Sequence, residues 1–299
     1  MLGENDTEFR GKVVGGSEVS ALFGVNPWLT HFELWHRKNG TLETPEFGGN
    51  ERIEAGIYLE PSIIQWACDK WGYVPTDDKL KLYDNTIDLG GHVDKRVICP
   101  ERGPGVLEIK TVDQFIFRDW GDEPPLNYQL QGQTYMGLAG VGWCDIVYLV
   151  GGNHLDRFQM QFRPKLYAEI KKRVADFWQS IDAQTPPKPD YNNDGEALAN
   201  LYRSSADTTA DLTHDNMAPD ACARYLSLSA QITQLTKERD AAKAELLDKI
   251  GENARALIPG YKLWMTDVKG VDDRPAQPDE IIKGRKAYRK INVKDVKNV

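Results

Sequence analysis

Two short apolar segments joined by a turn fix the positions of three charged side chains in this 299-residue chain. The first segment, GHVDKRVIC, carries Asp94, and the second, GVLEIKT, carries Glu108 and Lys110. The stretch PERGPG between them is typical of a hairpin turn. Because residues i and i+2 of a strand point to the same face, Glu108 and Lys110 are expected side by side. If the two strands pair, Asp94 lies close to Glu108.

Two carboxylates at one point repel each other unless a cation lies between them. Oxygen ligands of this kind suit Mg²⁺ or Mn²⁺. Lys110, on the same face, is placed to orient or deprotonate a water, or to stabilise charge on a phosphate. The set therefore suits metal-assisted hydrolysis of a phosphodiester. The alternative is that Glu108 and Lys110 form a surface salt bridge without a catalytic role.

Further residues extend this pattern on predicted helices. Glu60 lies in a helix predicted over residues 49–72, beside Pro61, a residue type that is costly inside helices. A second helix is predicted in PLNYQLQGQTYMGLAG, and one of its faces carries Tyr128, Gln131 and Tyr135. That face is either a polar surface or a set of groups that orient phosphates and stack on bases.

Composition limits the classes of protein that this chain can form. The net charge of −8 counts against a protein that coats DNA, but not against an enzyme with a local basic channel. No apolar run approaches the roughly 20 residues of a membrane span, so no membrane association is expected, and the polar N-terminus predicts no signal peptide. The four cysteines form no CxxC pair, which favours reduced thiols in a cytoplasmic protein over a zinc ribbon.

Several other reaction classes lack their sequence motifs. The chain contains no GxSxG, no GK[ST] phosphate loop and no HExxH, and no Gly-rich dinucleotide fingerprint follows a predicted strand. Serine hydrolases, P-loop ATPases, zinc proteases of the HExxH type and dinucleotide-dependent enzymes are therefore set aside.

The order of the motifs resembles a known nuclease superfamily. A helix with Glu, a strand with Asp, a strand with Glu-x-Lys and a helix with Gln-x-x-x-Tyr are arranged as in PD-(D/E)XK nucleases, and within them as in the YqaJ-type phage recombinase nucleases of the lambda exonuclease-like family. The motifs are GGSEVSALFGVNPW, G-x-x-x-E-P ending at Pro61, GHVD, LEIKT and YQLQGQTYM. The resemblance implies an α/β (α+β) fold with a restriction-endonuclease-like core, in which helices flank a central mixed β-sheet.

The resemblance also implies roles for the acidic cluster. Asp94 and Glu108 would bind Mg²⁺ or Mn²⁺ together with the backbone carbonyl of Ile109. Glu60 would complete the site through a water, and Lys110 would position the attacking water.

A pocket for a DNA end is implied as well. In the family an arginine and a serine hold the 5′-phosphate of the recessed strand, and the matching positions here are Arg10 and Ser17. Gln131 and Tyr135 would be further DNA-binding residues. Ser17 is also predicted to cap the helix that follows it, and a cap whose helix N-terminus binds phosphate satisfies both interpretations.

One position departs from the family pattern. His92 and Val93 precede Asp94, where lambda exonuclease has Ser and Pro. His92 is either an exposed bystander or a contact to phosphate or metal.

The chain is expected to form a nuclease domain over residues 1–190 and a C-terminal helical/β extension over residues 191–299, divided near the Pro-rich stretch 185–196. The extension contains a predicted helix at about 216–250, whose 3–4 spacing of apolar residues suits a helical hairpin arm or a short coiled coil. The basic residues of its β-tail would contact DNA, pack between subunits or remain solvated. These residues are Lys283, Arg285, Lys286, Arg289 and Lys290.

Three functions are compatible with these observations. The first is a Mg²⁺-dependent exodeoxyribonuclease that resects linear duplex DNA 5′→3′ for phage-type recombination. For it the resemblance implies a homo-oligomer in the form of a toroidal trimer, a single-strand annealing protein as partner and the bacterial host cytoplasm as location. The second is a structure-specific or nicking endonuclease. The third is a non-catalytic DNA-binding or scaffold protein, which is disfavoured because competent residues occupy Glu60, Asp94, Glu108 and Lys110.

Overall fold

A computed structural model describes most of the chain. The described ranges are residues 4–45, 50–76, 80–203, 207–270, 274–277, 280–282 and 288–295. The chain divides into two compact units, residues 1–206 and residues 207–299.

Helices occur in both units. Within the described ranges they are α1 (Glu4–Lys12), α2 (Val19–Leu22), α3 (His31–Lys38), α4 (Glu51–Trp71), α5 (Gln114–Phe117), α6 (Leu126–Ala139), α7 (Pro164–Asp182), α8 (Gly195–Leu201) and α9 (Ala218–Ile250).

The strands of the first unit are β1 (Val14–Gly15), β2 (Val74–Pro75), β3 (Lys81–Asp84), β4 (Leu89–His92), β5 (Lys95–Cys99), β6 (Gly103–Val112), β7 (Trp143–Val150) and β8 (His154–Gln161). The strands of the second unit are β9 (Arg255–Ile258), β10 (Tyr261–Val268), β11 (Arg274–Gln277), β12 (Glu280–Ile282) and β13 (Tyr288–Asp295).

A five-stranded mixed sheet with the order β2-β5-β6-β7-β8 forms the centre of the first unit. Strand β6 pairs antiparallel with β5 and parallel with β7. The apolar residues of β6 point alternately to the two faces of the sheet. Leu107 and Ile109 pack with Ile63 of α4, whereas Val106 packs with Met136 of α6. The predicted class, a mixed α/β fold with helices flanking a central mixed sheet, is confirmed.

The predicted hairpin around the PERGPG turn is confirmed, but the strand before it is interrupted. GHVDKRVIC divides into β4 and β5, which belong to different sheets, and Val93 and Asp94 lie between them. The second sheet of this unit has the order β1-β4-β3, with Gly15 opposite Gly90. Asp94 therefore lies where the chain leaves one sheet and enters the other.

Near the end of the Pro-rich stretch 185–196, one buried residue is fixed by hydrogen bonds. Asp194 is 1% exposed, and it accepts hydrogen bonds from the Thr30 hydroxyl at 2.5 Å and from the Asp190 backbone N–H at 2.6 Å. The first unit consequently continues past residue 190, where the sequence analysis ended the nuclease domain.

The second unit contains the predicted long helix as one uninterrupted helix, α9. No turn interrupts Ala218–Ile250, and both arrangements predicted for this region, a helical hairpin arm and a short coiled coil, stay predictions. Strands β10 and β13 pair antiparallel, with Trp264 opposite Asn292, as two strands were predicted there.

The cysteines and the helix lengths bear on two further expectations. All four cysteines are free, and Cys222 alone among them is exposed. None of the helices in the described ranges combines the length and the apolar character that a bilayer crossing needs.

One buried carboxylate joins the central sheet to the β5–β6 turn. Asp145 on β7 is fully buried and accepts hydrogen bonds from Arg102 at 2.6 and 2.8 Å, from Arg157 at 3.2 Å and from the Tyr73 hydroxyl. Burial raises the pKa of Asp145, although Arg102 opposes the increase. The carboxylate is thus costly to bury and depends on its partners.

Removing this carboxylate should destabilise the first unit strongly. We expect Asp145→Ala to lower the free energy of unfolding by about 3–5 kcal/mol, because Arg102 would remain partly buried without its partner. Denaturant unfolding measures this change. Glu8→Ala is the matched control, since its ion pair with Lys12 is exposed and its loss should leave the unfolding midpoint nearly unchanged.

Candidate active site

The pairing of β5 with β6 brings Asp94 to Glu108. Lys95 is opposite Leu107, so the residue before Lys95 lies beside the residue after Leu107. The Asp94 carboxylate accepts a hydrogen bond of 2.6 Å from the backbone N–H of Ile109. This bond holds Asp94 against β6, as the sequence predicted.

Glu108 is the centre of a buried polar cluster. Its side chain is 5% exposed, and its Oε1 accepts hydrogen bonds from Lys110 at 2.7 Å and from Gln131 at 2.5 Å. The Lys110 side chain is 19% exposed, so the pair is not the surface salt bridge considered as an alternative. Glu108 Oε2 is buried and has no hydrogen-bond partner in the described part of the chain.

Glu60 approaches this cluster from α4. Asn50 caps the helix by accepting hydrogen bonds from the backbone N–H groups of Arg52 and Ile53, and Gly72 ends it in the left-handed conformation. Pro61 lies inside the helix without ending it, so the predicted helix over residues 49–72 is confirmed to within two residues.

The three carboxyl groups influence one another electrostatically. Burial, and then the charge of Asp94, raise the pKa of Glu60 to about 7 and that of Glu108 to about 8. Burial also raises the pKa of Asp94, against the effects of Lys110 and the Ile109 N–H. For Lys110, burial lowers the pKa, but Glu108 and Asp94 outweigh it and the net pKa is raised. One ammonium thus faces three acids, an excess of negative charge that a divalent cation would neutralise.

The donor set suits a hard cation without forming a finished cage. Among the described residues, no three His, Cys, Asp or Glu side chains lie together as a ready-made metal site. Even so, Glu108 Oε2 is buried and unpaired, and Asp94 uses only Oδ2 in its hydrogen bond. Both carboxylates can keep their present hydrogen bonds and still offer an oxygen to Mg²⁺ or Mn²⁺.

The predicted polar face of α6 is turned into the protein. Gln131 and Tyr135 are each 5% exposed, and Gln131 donates a hydrogen bond to Glu108. The predicted stacking of bases on Tyr135 is therefore wrong for this structure, because the ring is not accessible. Tyr128 lies nearer the surface, with its ring centroid 5.0 Å from Lys110 Nζ.

Two glycines make room for the Tyr135 ring. A Cβ atom at Gly16 would lie 2.5 Å from Tyr135 Cε1, and one at Gly91 would lie 3.0 Å from the same atom. Both glycines belong to motifs that carried the family resemblance, GGSEV and GGHVD. Their requirement is thus a steric one, the close approach of a buried aromatic ring.

Arg10 lies near Tyr135, and Ser17 directly follows Gly16, against which the Tyr135 ring packs. Burial raises the pKa of Tyr135 well above its usual value, and Arg10 is one of the groups that oppose the increase, so its charge is near the phenol. The predicted capping by Ser17 is wrong: α2 has only four residues, begins at Val19, and has Glu18 as its N-cap without a side-chain cap bond. Ser17 is exposed and contributes its backbone carbonyl to hydrogen bonds from Ser20 and Asn26.

Lys38 is a buried cation that the sequence analysis missed. Its side chain is 5% exposed, and its Nζ donates to the Arg10 carbonyl at 2.6 Å and lies 2.7 Å from Glu18 Oε2. The same Glu18 oxygen accepts from the Gly15 N–H at 2.7 Å. Lys38 thus connects the segment of Arg10 to the loop of Ser17. A lysine in the last turn of a helix is common, so no local signal distinguished it.

The remaining predicted residues are outside the cluster. The His92 ring packs edge-on against Phe9, with centroids 5.9 Å apart. In the basic tail, Lys283, Arg285 and Lys286 lie outside the described residues, whereas Arg289 and Lys290 belong to β13.

Comparison with known proteins gives one family and several similar chains. Residues 7–142 match the family model of the YqaJ-like viral recombinase domain. The uncharacterized protein YqaJ of Bacillus subtilis (strain 168) is 25% identical, over 96% of this chain and 92% of that protein.

Solved structures with a similar chain include two exonucleases. An alkaline exonuclease, LHK-Exo, from Laribacter hongkongensis is 21% identical, over 64% of this chain and 98% of its own, with a TM-score of 0.48. A phage related exonuclease from Haemophilus somnus 129PT is 16% identical, over 62% of this chain and 88% of its own, with a TM-score of 0.38.

The family match includes four of the elements that build the site. It includes the part of α1 that carries Arg10, α4 with Glu60, and all of α6, and between these helices Asp94 and the β5–β6 hairpin with Glu108 and Lys110. Residues 7–142 of this chain are therefore similar to the YqaJ-like viral recombinase domain.

Proposed function

We propose that the chain is a metal-dependent exodeoxyribonuclease that hydrolyses linear duplex DNA from its 5′ ends, in the resection step of phage-type recombination. The observation that carries the proposal is the buried Glu108 carboxylate. Lys110 and Gln131 hold one of its oxygens, the other is unpaired, and Asp94 lies beside it. A structural ion pair has no need of an unpaired buried oxygen, which costs free energy.

In this proposal Asp94 and Glu108 hold Mg²⁺ or Mn²⁺ together with the Ile109 carbonyl, and Glu60 completes the site through a water. The bound cation supplies charge neutralisation at the phosphate and a more acidic water. Gln131 fixes the Glu108 carboxylate through its 2.5 Å hydrogen bond. Gln131 is therefore a positioning residue for a ligand, and not a direct contact to phosphate.

Lys110 has the role of orienting the attacking water. Its ammonium is held in the charged form by Glu108 and Asp94, so it donates hydrogen bonds and does not accept a proton. The water oxygen attacks phosphorus, the P–O3′ bond breaks, and the leaving 3′-oxygen takes up a proton. The attacking water releases a proton to solvent and the leaving 3′-oxygen takes its proton from solvent, so the products are a 5′-phosphate and a 3′-hydroxyl.

Recognition of the DNA end is assigned to Arg10 and Ser17. Arg10 is exposed, near the Tyr135 phenol, and tied through its carbonyl to Lys38. An exposed guanidinium and the exposed hydroxyl of Ser17 suit a terminal phosphate. The family resemblance further suggests a trimeric ring and a single-strand annealing partner in the cytoplasm of a bacterial host, and both belong to this proposal.

The first prediction concerns the acidic cluster. We expect Asp94→Ala, Glu108→Ala and Lys110→Ala each to reduce Mg²⁺-dependent digestion of linear duplex DNA by about 10³-fold or more, because each removes a cation ligand or the water-orienting group. Glu54→Ala, on the exposed face of α4, is the control and should keep wild-type activity. A folded Asp94 or Lys110 variant with normal activity would contradict the proposal.

The second prediction concerns the end of the DNA. Arg10→Ala should reduce the preference for 5′-phosphorylated over 5′-hydroxyl ends by about tenfold, since a charge-assisted contact to the phosphate is lost. The measurement compares digestion rates of the two duplexes. Equal loss on both ends would refute the pocket, and cleavage of closed circular DNA would indicate the endonuclease instead.

The third prediction concerns pH and the cation. An acid whose pKa is raised in the folded protein stabilises the fold less as pH increases. This loss of stability occurs between pH 4.5, the ordinary pKa, and the raised pKa, which is about 7 for Glu60 and about 8 for Glu108. Millimolar Mg²⁺ should therefore raise Tm more at about pH 8.5 than at about pH 6, because it replaces the protons. Thermal unfolding measures this difference. Glu108→Gln should reduce it, and an equal Tm increase at both pH values would argue against this cluster as the cation site.

A further inference from the structure

The sheet β13-β10-β9 of the second unit has two unlike faces. On β10, Leu263 is 3% exposed, whereas Trp264 is 38% exposed and faces the other way. The register pairs Lys262 with Leu257 and Trp264 with Arg255, so these residues share a face. The exposed residues of this side are Arg255, Leu257, Lys262, Trp264 and Thr266, and we refer to it as the Trp264 face.

The charge of the Trp264 face differs from that of the chain. It carries two cations and no acid at its five positions, in a protein with a net charge of −8. Neither Arg255 nor Lys262 takes part in an ion pair or a hydrogen bond with a side chain of the described ranges. In the backbone register of β10 with β13, Lys294 is across from Lys262 and Lys290 is across from Thr266.

The Trp264 face also combines a groove with an accessible aromatic ring. The β9–β10 hairpin lines a shallow groove of about 710 Å³. Its lining includes Arg255, Leu257, Lys262 and Trp264 of this face and also Tyr261 and Leu263 of the other side. An accessible indole between unpaired cations is how proteins hold single-stranded nucleic acid: the cations follow the phosphates and bases stack on the ring. Bases in a duplex are already stacked on each other and do not present their faces to a ring.

We propose that the Trp264 face binds single-stranded DNA. The inference rests on the proposed function insofar as resection leaves an unpaired strand, which gives the enzyme a single-stranded product to hold. Trp264 provides the stacking surface, Arg255 and Lys262 contact phosphates, and Leu257 covers a sugar or a base edge. Binding of this kind is tolerant of sequence and sensitive to salt.

The test measures binding of a fluorescent oligothymidylate of about 20 nucleotides to the full chain by anisotropy, in chelator so that no DNA is digested. We expect Trp264→Ala and Lys262→Glu each to weaken binding by about tenfold, and Trp264→Phe to retain most of the affinity. The salt dependence of Lys262→Glu should also be shallower, by about 0.7 in the logarithmic slope for one lost phosphate contact.

The matched controls lie in the same unit. Tyr225→Ala removes an exposed aromatic residue from α9, and Lys243→Glu reverses an exposed charge on the same helix. Both should bind oligothymidylate like the wild type. Asp94→Ala should bind normally and digest nothing, which separates failure of this site from failure of the proposed nuclease.

Three outcomes would overturn the proposal. In the first, Lys262→Glu and Trp264→Ala both bind oligothymidylate as tightly as the wild type. In the second, Lys243→Glu weakens the binding of oligothymidylate as much as Lys262→Glu does. Polyglutamate could also compete as well as unlabelled oligothymidylate, which would show a general anion-binding surface for acidic proteins. Preference for oligothymidylate over blunt duplex, lost in the two face variants, supports the inference.

Discussion

The hydrogen bonds that hold one oxygen of Glu108 determine the chemistry of this protein. Glu108 lies on the α6 side of the central sheet, where burial disfavours its charge and raises its pKa to about 8. Lys110 and Gln131 stabilise Oε1 and leave Oε2 without a partner in the described residues. A site with this imbalance gains by binding a cation, and the neighbouring Asp94 increases the gain. Each of the proposed catalytic roles depends on this local excess of negative charge.

Much of the fold and half of the site could be predicted from the sequence, because they depend on short-range patterns. The PERGPG turn sets the pairing of β5 with β6, and that pairing alone brings Asp94 to Glu108. The period-2 alternation of a strand places Lys110 on the side of Glu108. The helix with Glu60 followed from apolar spacing, and Pro61 proved compatible with it. The family match over residues 7–142 then confirmed the recognition made from these motifs.

The errors concern contacts between distant segments, for which a sequence has no local signal. Because this face of α6 is buried, Gln131 and Tyr135 are not accessible to DNA, and Gln131 donates a hydrogen bond to Glu108 instead. Ser17 does not cap a helix, because the loop is held instead by Glu18 and by the buried Lys38 from α3. The role of Lys38 in holding this loop becomes visible only when α3 is packed against the loop. Its position along the sequence gives no indication of that role.

The interruption between β4 and β5 has a consequence for how this domain tolerates changes in length. Val93 and Asp94 are the two residues between strands of different sheets, and each strand has a fixed register with its own partner. One residue inserted or deleted here would leave both sheets paired but turn the carboxylate to the opposite side of the chain. Related chains that keep both sheets and this carboxylate should therefore keep the two-residue spacing at the junction.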